Sequence, residues 1–226
     1  WFTVLDFKDA FFCLALAKES QRLFAIEREN PDTGRKTQLT RTVLPQGFTN
    51  SHTSFGNQPA QELKIWSPPS QSGTLLQYVD DLLIATETKE DCIQRTVSPP
   101  NFLGLRGYRV SQQKAQLIQS QVTYLGFKIS EGQHELGREP KEAICRAPEP
   151  QTLKELRTFL GTTGWCRLWI YNYGLWVKPL YHLLKENPSK LMWSDEARRA
   201  FKQLQDALTK APALGLPDVS KPFWLL

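Results

Sequence analysis

At 226 residues and 40% hydrophobic side chains, the chain can bury one large core or two smaller ones, and no apolar run reaches the roughly 18 residues of a membrane span. Its net charge of +5 is uneven: residues 1–105 carry 10 basic and 12 acidic side chains (−2), residues 106–190 carry 13 and 7 (+6), and the last 36 carry 5 and 4 (+1). That pattern suits a phosphate-gripping half beside an acidic half, and it also suits an ordinary solvated surface.

The chain opens in a strand-like run, Phe2-Thr3-Val4-Leu5, that ends at Asp6, with Asp9 three residues on. A start inside a strand pattern, with no basic-then-apolar leader, points to a fragment whose upstream part is missing. Asp9 to Ala17 is mostly apolar and reads as the beginning of a short helix; Phe11, one of a Phe-Phe pair, reads from the residues alone as core. Leu23–Glu27 and Thr37–Val43 read as two strands joined by the turn Asn30-Pro31-Asp32-Thr33-Gly34. Leu44-Pro45-Gln46-Gly47 follows as a loop. Asn50 or Ser51 caps a helix running towards Trp66, weakly written because Gly56 and Pro59 fall inside it, at costs of about 1 and about 3 kcal/mol. Ser67 to Gly73 is a loop.

Leu75 to Ala85 is the central stretch. Two apolar runs flank Asp80-Asp81, predicting a tight hairpin with the acidic pair at its tip. Two carboxylates between buried strands repel each other and lose hydration. A shared hard cation, Mg2+ above all, removes that cost, although a plain acidic turn facing water fits the same residues. Asp6 is a second carboxylate at a strand's end, at the rim of a sheet where sites are commonly built. Side by side in one sheet, the two edges would gather Asp6, Asp80 and Asp81 around two metal ions about 3.5–4 Å apart, the arrangement used for in-line phosphoryl chemistry.

Thr88 caps a helix to Val97, which Pro99-Pro100 stops; Lys114 reads as a surface lysine. Val122 to Ile129 is a strand or hairpin arm, and Glu131 to Pro150 is loop-rich, with Pro140, Pro148 and Pro150. Thr152 caps a helix with Leu153, Leu156, Phe159 and Leu160 on one face and Lys154 and Arg157 off it. Cys166–Trp169 and Tyr181–Leu184 supply further helix, separated by Asn172-Tyr173-Gly174, with Trp165, Trp169 and Trp176 as core. Ser194 caps a last amphipathic helix that buries Phe201, Leu204 and Leu208 and ends at Ala211-Pro212. Leu214 to Leu226 looks like the start of a further domain, strand-like at Pro222–Leu226. Cys13, Cys92, Cys145 and Cys166 show no C-x-x-C spacing, and His52, His134 and His182 have no partner at ligand spacing. Reduced thiols in an intracellular setting are expected.

Val4-Leu5-Asp6-Phe7-Lys8-Asp9-Ala10-Phe11-Phe12, Leu44-Pro45-Gln46-Gly47-Phe48 and Tyr78-Val79-Asp80-Asp81 occur in that order at suitable intervals. Together they resemble the polymerase motifs of retroviral reverse transcriptases, of the gammaretroviral type and its endogenous relatives. Tyr124-Leu125-Gly126, the run Phe159–Gly164 and the run Lys210–Asp218 extend the resemblance over nearly the whole chain. It implies an α+β fold: a right-hand polymerase palm, an antiparallel sheet with flanking helices, at residues 1–130 with a remnant of fingers near 18–45. A helical thumb at 131–190 and the start of a connection domain at 191–226 would follow.

The same resemblance implies RNA-directed and DNA-directed DNA synthesis, in which a primer 3′-hydroxyl attacks the α-phosphate of an incoming dNTP on an RNA or DNA template. Mg2+, or Mn2+ in its place, would be the cofactor. Asp6 and Asp81 would bridge the metals, with Asp80 in support. Asp9, Ala10, Phe11, Gln46 and Lys114 would bind the nucleotide: Asp9 through its backbone, Phe11 beneath the sugar to exclude a 2′-hydroxyl, and Lys114 beside the leaving pyrophosphate. Tyr78, Tyr124, Leu125 and Gly126 would hold the primer, and Lys154 and Arg157 the duplex backbone. The rest of the fingers and a ribonuclease H domain would belong to the parent polyprotein, working in the cytoplasm or virion core without a membrane partner.

The chain departs from the family at Gln113, where a first of two lysines is usual, and at Pro59 and Pro99-Pro100, which resemble the decay of an endogenous element. Two other readings stand beside the enzyme: a non-catalytic nucleic-acid-binding remnant, and a decayed fragment without activity.

Overall fold

The computed structural model describes residues 1–70, 72–185 and 191–215. The chain divides into two compact units, Trp1–Val122 and Thr123–Leu226. The first unit begins with β1 (Phe2–Asp6), a 3-10 turn (Ala10–Cys13), the one-turn helix α1 (Lys18–Gln21) and a second 3-10 turn (Arg22–Phe24). It continues through β2 (Ile26–Glu29), β3 (Lys36–Leu39), α2 (Ser51–Ile65), β4 (Thr74–Tyr78), β5 (Asp81–Ala85), α3 (Lys89–Gly104) and β6 (Gln116–Gln119).

Four antiparallel strands form its sheet in the order β4-β5-β1-β6. The two middle strands carry unbroken buried runs, Thr3-Val4-Leu5 and Leu82-Leu83-Ile84, because both of their faces are covered. Each of those buried aliphatic side chains stabilises the unit by roughly 2 kcal/mol before entropy is subtracted. Phe7, Phe55, Leu103 and Tyr108 complete this core.

Where prolines argued against helix, packing overrides them. α3 passes straight through Pro99-Pro100 to Gly104, although each proline removes a backbone donor. Its last turn is held from outside: Pro99 and Leu103 are buried, Arg106 lies over the Phe102 ring at 3.7 Å, and Arg106 Nε pairs with Glu62 of α2 at 2.8 Å. α2 likewise runs unbroken through Gly56 and Pro59, with Phe55 and Pro59 buried. Asn50 stands at its N-cap without a side-chain bond, while Ser51 Oγ donates to the Pro45 carbonyl at 2.8 Å.

The helix expected over Asp9–Ala17 is only the 3-10 turn, and Leu23-Phe24 belong to a turn rather than a strand. Val43 leaves β3 and bridges Ala15 instead. The turn between β2 and β3 keeps its expected chemistry: Asn30 Oδ1 accepts from the amides of Asp32 and Thr33, and Gly34 has φ 65°. Both strands of that hairpin are exposed throughout.

The second unit contains β7 (Val122–Tyr124), β8 (Phe127–Ser130), β9 (Gln133–Leu136), α4 (Arg138–Cys145), α5 (Leu153–Trp165), a 3-10 turn (Arg167–Trp169), α6 (Tyr173–Lys185), α7 (Asp195–Thr209) and β10 (Leu214–Gly215). The sheet order is β10-β9-β8-β7. Glu131–Pro150 is therefore not mainly loop. Pro140 falls in the first turn of α4, where a missing N–H leaves no helical bond unmade.

Thr152 caps α5 by accepting from the Glu155 amide at 3.2 Å, and Glu155 accepts from the Gln151 amide at 2.8 Å. Ser194 caps α7 in the same way, from Ala197. Leu156, Leu160, Leu180, Leu204 and Leu208 fill the core with Trp169. Trp165 and Trp176 do not join it, being 40% and 37% exposed; Trp165 stacks on Phe127 at 4.4 Å, at the core's margin. The strand-like Pro222–Leu226, and residues 216–218 of the Lys210–Asp218 string, lie outside the described residues. The four cysteines are free, and among the described residues no helix is long and apolar enough to cross a membrane.

Candidate active site

β1 and β5 pair so that Asp6, at the end of one, lies directly opposite Asp81, at the start of the other. Tyr78 faces Asp81 across β4 and β5, which leaves Val79-Asp80 as a two-residue turn. Asp81 is thus a strand residue, and only Asp80 of the acidic pair sits at the tip. Phe7 N donates to the Asp80 carbonyl at 2.9 Å and clamps the tip to the end of β1. Val79 has φ 52°, a conformation a β-branched residue adopts at a cost of about 1–3 kcal/mol. Gln77 braces it: Nε2 donates to the Val79 carbonyl at 3.1 Å and to the Gly56 carbonyl of α2 at 3.3 Å. Gln77 escaped the sequence reading; its one signal was an amide inside the apolar run Leu75–Val79.

Loss of hydration raises the Asp81 carboxyl above the usual carboxylate range, helped by the charges of Asp80 and Asp6 and opposed by Lys114. Lys114 Nζ lies 3.2 Å from both Asp6 oxygens. The donor set is all hard oxygen, and its crowded charge is of the kind a divalent cation relieves, so its chemistry fits Mg2+. Among the described residues, however, no three His, Cys, Asp or Glu side chains close into a group able to hold a metal ion, and Asp6 faces Lys114 instead.

Asp9 is exposed with φ 55°, which Asp tolerates, and its carbonyl accepts from Phe12 N at 2.8 Å as the 3-10 turn of Ala10 and Phe11 begins. Phe11 is half-buried, set edge-on to His52 at 5.0 Å and Phe55 at 5.8 Å. Leu14–Leu16 runs beside Thr42–Leu44 through Leu16 N to Thr42 O and Leu44 N to Leu14 O, so the loop bearing exposed Gln46 starts alongside this segment. Gly47 has φ 86°, the freedom that loop needs. Tyr78 is 59% exposed.

The remaining candidates belong to the second unit. Tyr124 is buried, and Leu125 (φ 49°) with Gly126 (φ 80°) turns β7 into β8, both residues having the positive φ of a type I′ hairpin. Lys154 and Arg157 are exposed on α5, away from buried Leu156, Phe159 and Leu160.

The family model described as reverse transcriptase (RNA-dependent DNA polymerase) matches residues 1–129. The chain belongs to the reverse transcriptase family. It is 50% identical over 225 residues to the Pol polyprotein of feline endogenous virus ECE1, and as similar to the Gag-Pol polyprotein of baboon endogenous virus (strain M7). These alignments cover all of this chain but only 21% and 13% of those polyproteins. The gammaretroviral resemblance therefore holds along the chain, endogenous relatives included. The foamy viral protease–reverse transcriptase solved with double-stranded DNA superposes with a TM-score of 0.83 at 31% identity, covering 96% of this chain and 36% of that one. The same viral enzyme with an RNA/DNA hybrid gives 0.76 over 93% of this chain and 27% of that one. The fold is the α+β one that the resemblance implied.

Proposed function

We propose that the chain is the part of a retroviral polymerase that performs nucleotidyl transfer, joining a primer 3′-hydroxyl to the α-phosphate of a dNTP on an RNA or DNA template. Residues 1–130 are read as palm with a fingers remnant near 18–45, residues 131–190 as thumb and residues 191–226 as the start of the connection. The observation that carries the reading is the register pairing of Asp6 with Asp81, locked by the Phe7–Asp80 backbone bond. Asp6 and Asp81, with Asp80 beside them, would hold Mg2+ or Mn2+. Bound there, such ions supply Lewis acidity to the attacking hydroxyl and neutralise charge on the leaving pyrophosphate.

The chain's own groups do the rest. Phe11 stands edge-packed against His52 and Phe55, a fixed ring able to overlap a 2′-hydroxyl. The backbone of Asp9 and Ala10 and the side chains of Gln46 and Lys114 orient the nucleotide. Tyr78 and the Tyr124-Leu125-Gly126 turn position the primer end, Gly126 letting a phosphate approach the backbone. Lys154 and Arg157, free in solvent on α5, meet duplex phosphates without reading sequence.

Mg2+-dependent primer extension by a polyprotein carrying this chain tests the reading. Asp81→Asn should lower the rate about a thousandfold while leaving template binding in place. An undiminished rate would end it. The exposure of Lys154 and Arg157 also supports a second reading, a phosphate grip without catalysis. It predicts duplex binding that falls steeply with salt, with no metal-dependent step for Asp81→Asn to remove.

A further inference from the structure

Lys114 and Asp6 are far apart in sequence, and the contact between them is built rather than incidental. The segment bearing Lys114 is fastened to the first strand and its continuation on both sides of Asp6. On one side Lys8 N donates to Arg109 O, Phe7 bridges Val110, and Ser111 N donates to the Asp6 carbonyl at 2.8 Å. On the other side Gln116 pairs with Val4, after Ala115 N has closed the intervening turn onto Ser111 O.

The strand that follows is itself pinned. Ile118, at φ 52° in a bulge, donates its amide to the buried Thr3 hydroxyl at 2.9 Å, and the same hydroxyl accepts from Thr96 Oγ1 at 2.8 Å. The ammonium then reaches both Asp6 oxygens at the same 3.2 Å distance. The two partners differ in freedom: the Lys114 side chain is 68% exposed, whereas Asp6 is 18% exposed and fixed at a strand end. The lysine can leave and the carboxylate cannot.

We propose that Lys114 is the resident counter-ion of Asp6 in the metal-free protein, a built-in cation that a divalent ion must displace, so that metal loading and release of Lys114 are one event. An ammonium set against both oxygens and a metal ion taking the same oxygens cannot coexist: they compete for the same lone pairs and repel each other. The field of Lys114 also reaches Asp81, so its departure strips positive charge from both carboxylates as the metal supplies it. The device keeps Asp6 paired without metal, and metal binding frees the cation for an anionic substrate. It rests on the reading of Asp6 as a metal-holding carboxylate.

An exposed ion pair is a weak competitor, so its removal should tighten metal binding about two- to fivefold. Mn2+ titration, followed by the electron paramagnetic resonance signal of the free ion, tests this on the whole chain, Lys114→Met, Lys114→Arg and Asp6→Asn. Lys114→Met should bind Mn2+ two- to fivefold more tightly, with the gap closing as salt screens the pair. Lys114→Arg should match the unsubstituted chain, and Asp6→Asn should lose the tight site whichever residue stands at 114. Equal or weaker Mn2+ binding by Lys114→Met, with binding by the unsubstituted chain intact, overturns the proposal and leaves the metal-site reading standing. Absence of saturable Mn2+ binding in both overturns the two together.

Discussion

Among the described residues, two two-residue hairpin turns place a non-glycine side chain, Val79 or Leu125, at positive φ, and they are built differently. At Leu125-Gly126 the second position is glycine, which adopts that geometry freely. At Val79-Asp80 the first position is a β-branched residue, held by Gln77 from within its own hairpin and by the Phe7–Asp80 bond from β1. Strain is tolerated where neighbouring groups over-determine the backbone, and here it coincides with the carboxylates. The turn in the second unit has one tie beyond its own hairpin, Gly137 N donating to the Gly126 carbonyl at 2.9 Å; the turn in the first is tied to α2 and to the end of β1 as well as braced from within its own hairpin.

The largest test of that contrast removes the floor under each hairpin. Ile84→Ala, at a fully buried site, should cost about 3 kcal/mol in chemical denaturation, whereas Ile129→Ala on half-buried β8 should cost less than half as much. Next come two glycines beside the strained hairpin. A Cβ on Gly73, at φ 94°, would meet the Ala85 carbonyl and Thr86 Cγ2 at 2.6 Å, so Gly73→Ala should cost about 2 kcal/mol. A Cβ on Gly56 meets nothing nearer than Val79 Cα at 3.9 Å, so Gly56→Ala should raise stability by about 0.5–1 kcal/mol through helix propensity. Gln77→Ala should cost about 1 kcal/mol by leaving the Val79 carbonyl unpaired.

The smallest effect follows from charge. The Asp81 carboxyl is raised in the folded chain, so its protonated form favours folding and its ionised form opposes it. That penalty is absent below the ordinary carboxylate range and appears as pH rises through the raised value. Asp81→Asn should therefore stabilise the chain at pH 7, by less than about 1 kcal/mol given its exposure, and the gain should vanish in acid. Thermal unfolding at several pH values checks it.

Much of both units was legible because the signals are local. Apolar runs broken by carboxylates mark β1, β4 and β5, and Thr88, Thr152 and Ser194 announce helix starts by capping chemistry that spans three residues. What stayed hidden depends on distant partners. Nothing near Pro99-Pro100 shows that Arg106 will reach Glu62 and keep the helix whole. Pro140 looked like loop because its place in a first turn depends on where the helix begins. At the candidate site, spacing marked the strand end bearing Asp6 and a hairpin bearing Asp80-Asp81, but it put both carboxylates of the pair at the tip, and which cation would face Asp6 was set by a segment 108 residues away.

The β2–β3 hairpin has a further consequence. Two strands with every side chain in solvent, Ile26 and Leu39 among them, and with Leu23 uncovered just before, cannot resist opening as a buried sheet does. Trypsin should nick the folded chain first at Arg35 or Lys36, in and beside that turn, well before it attacks the strands that carry the paired aspartates.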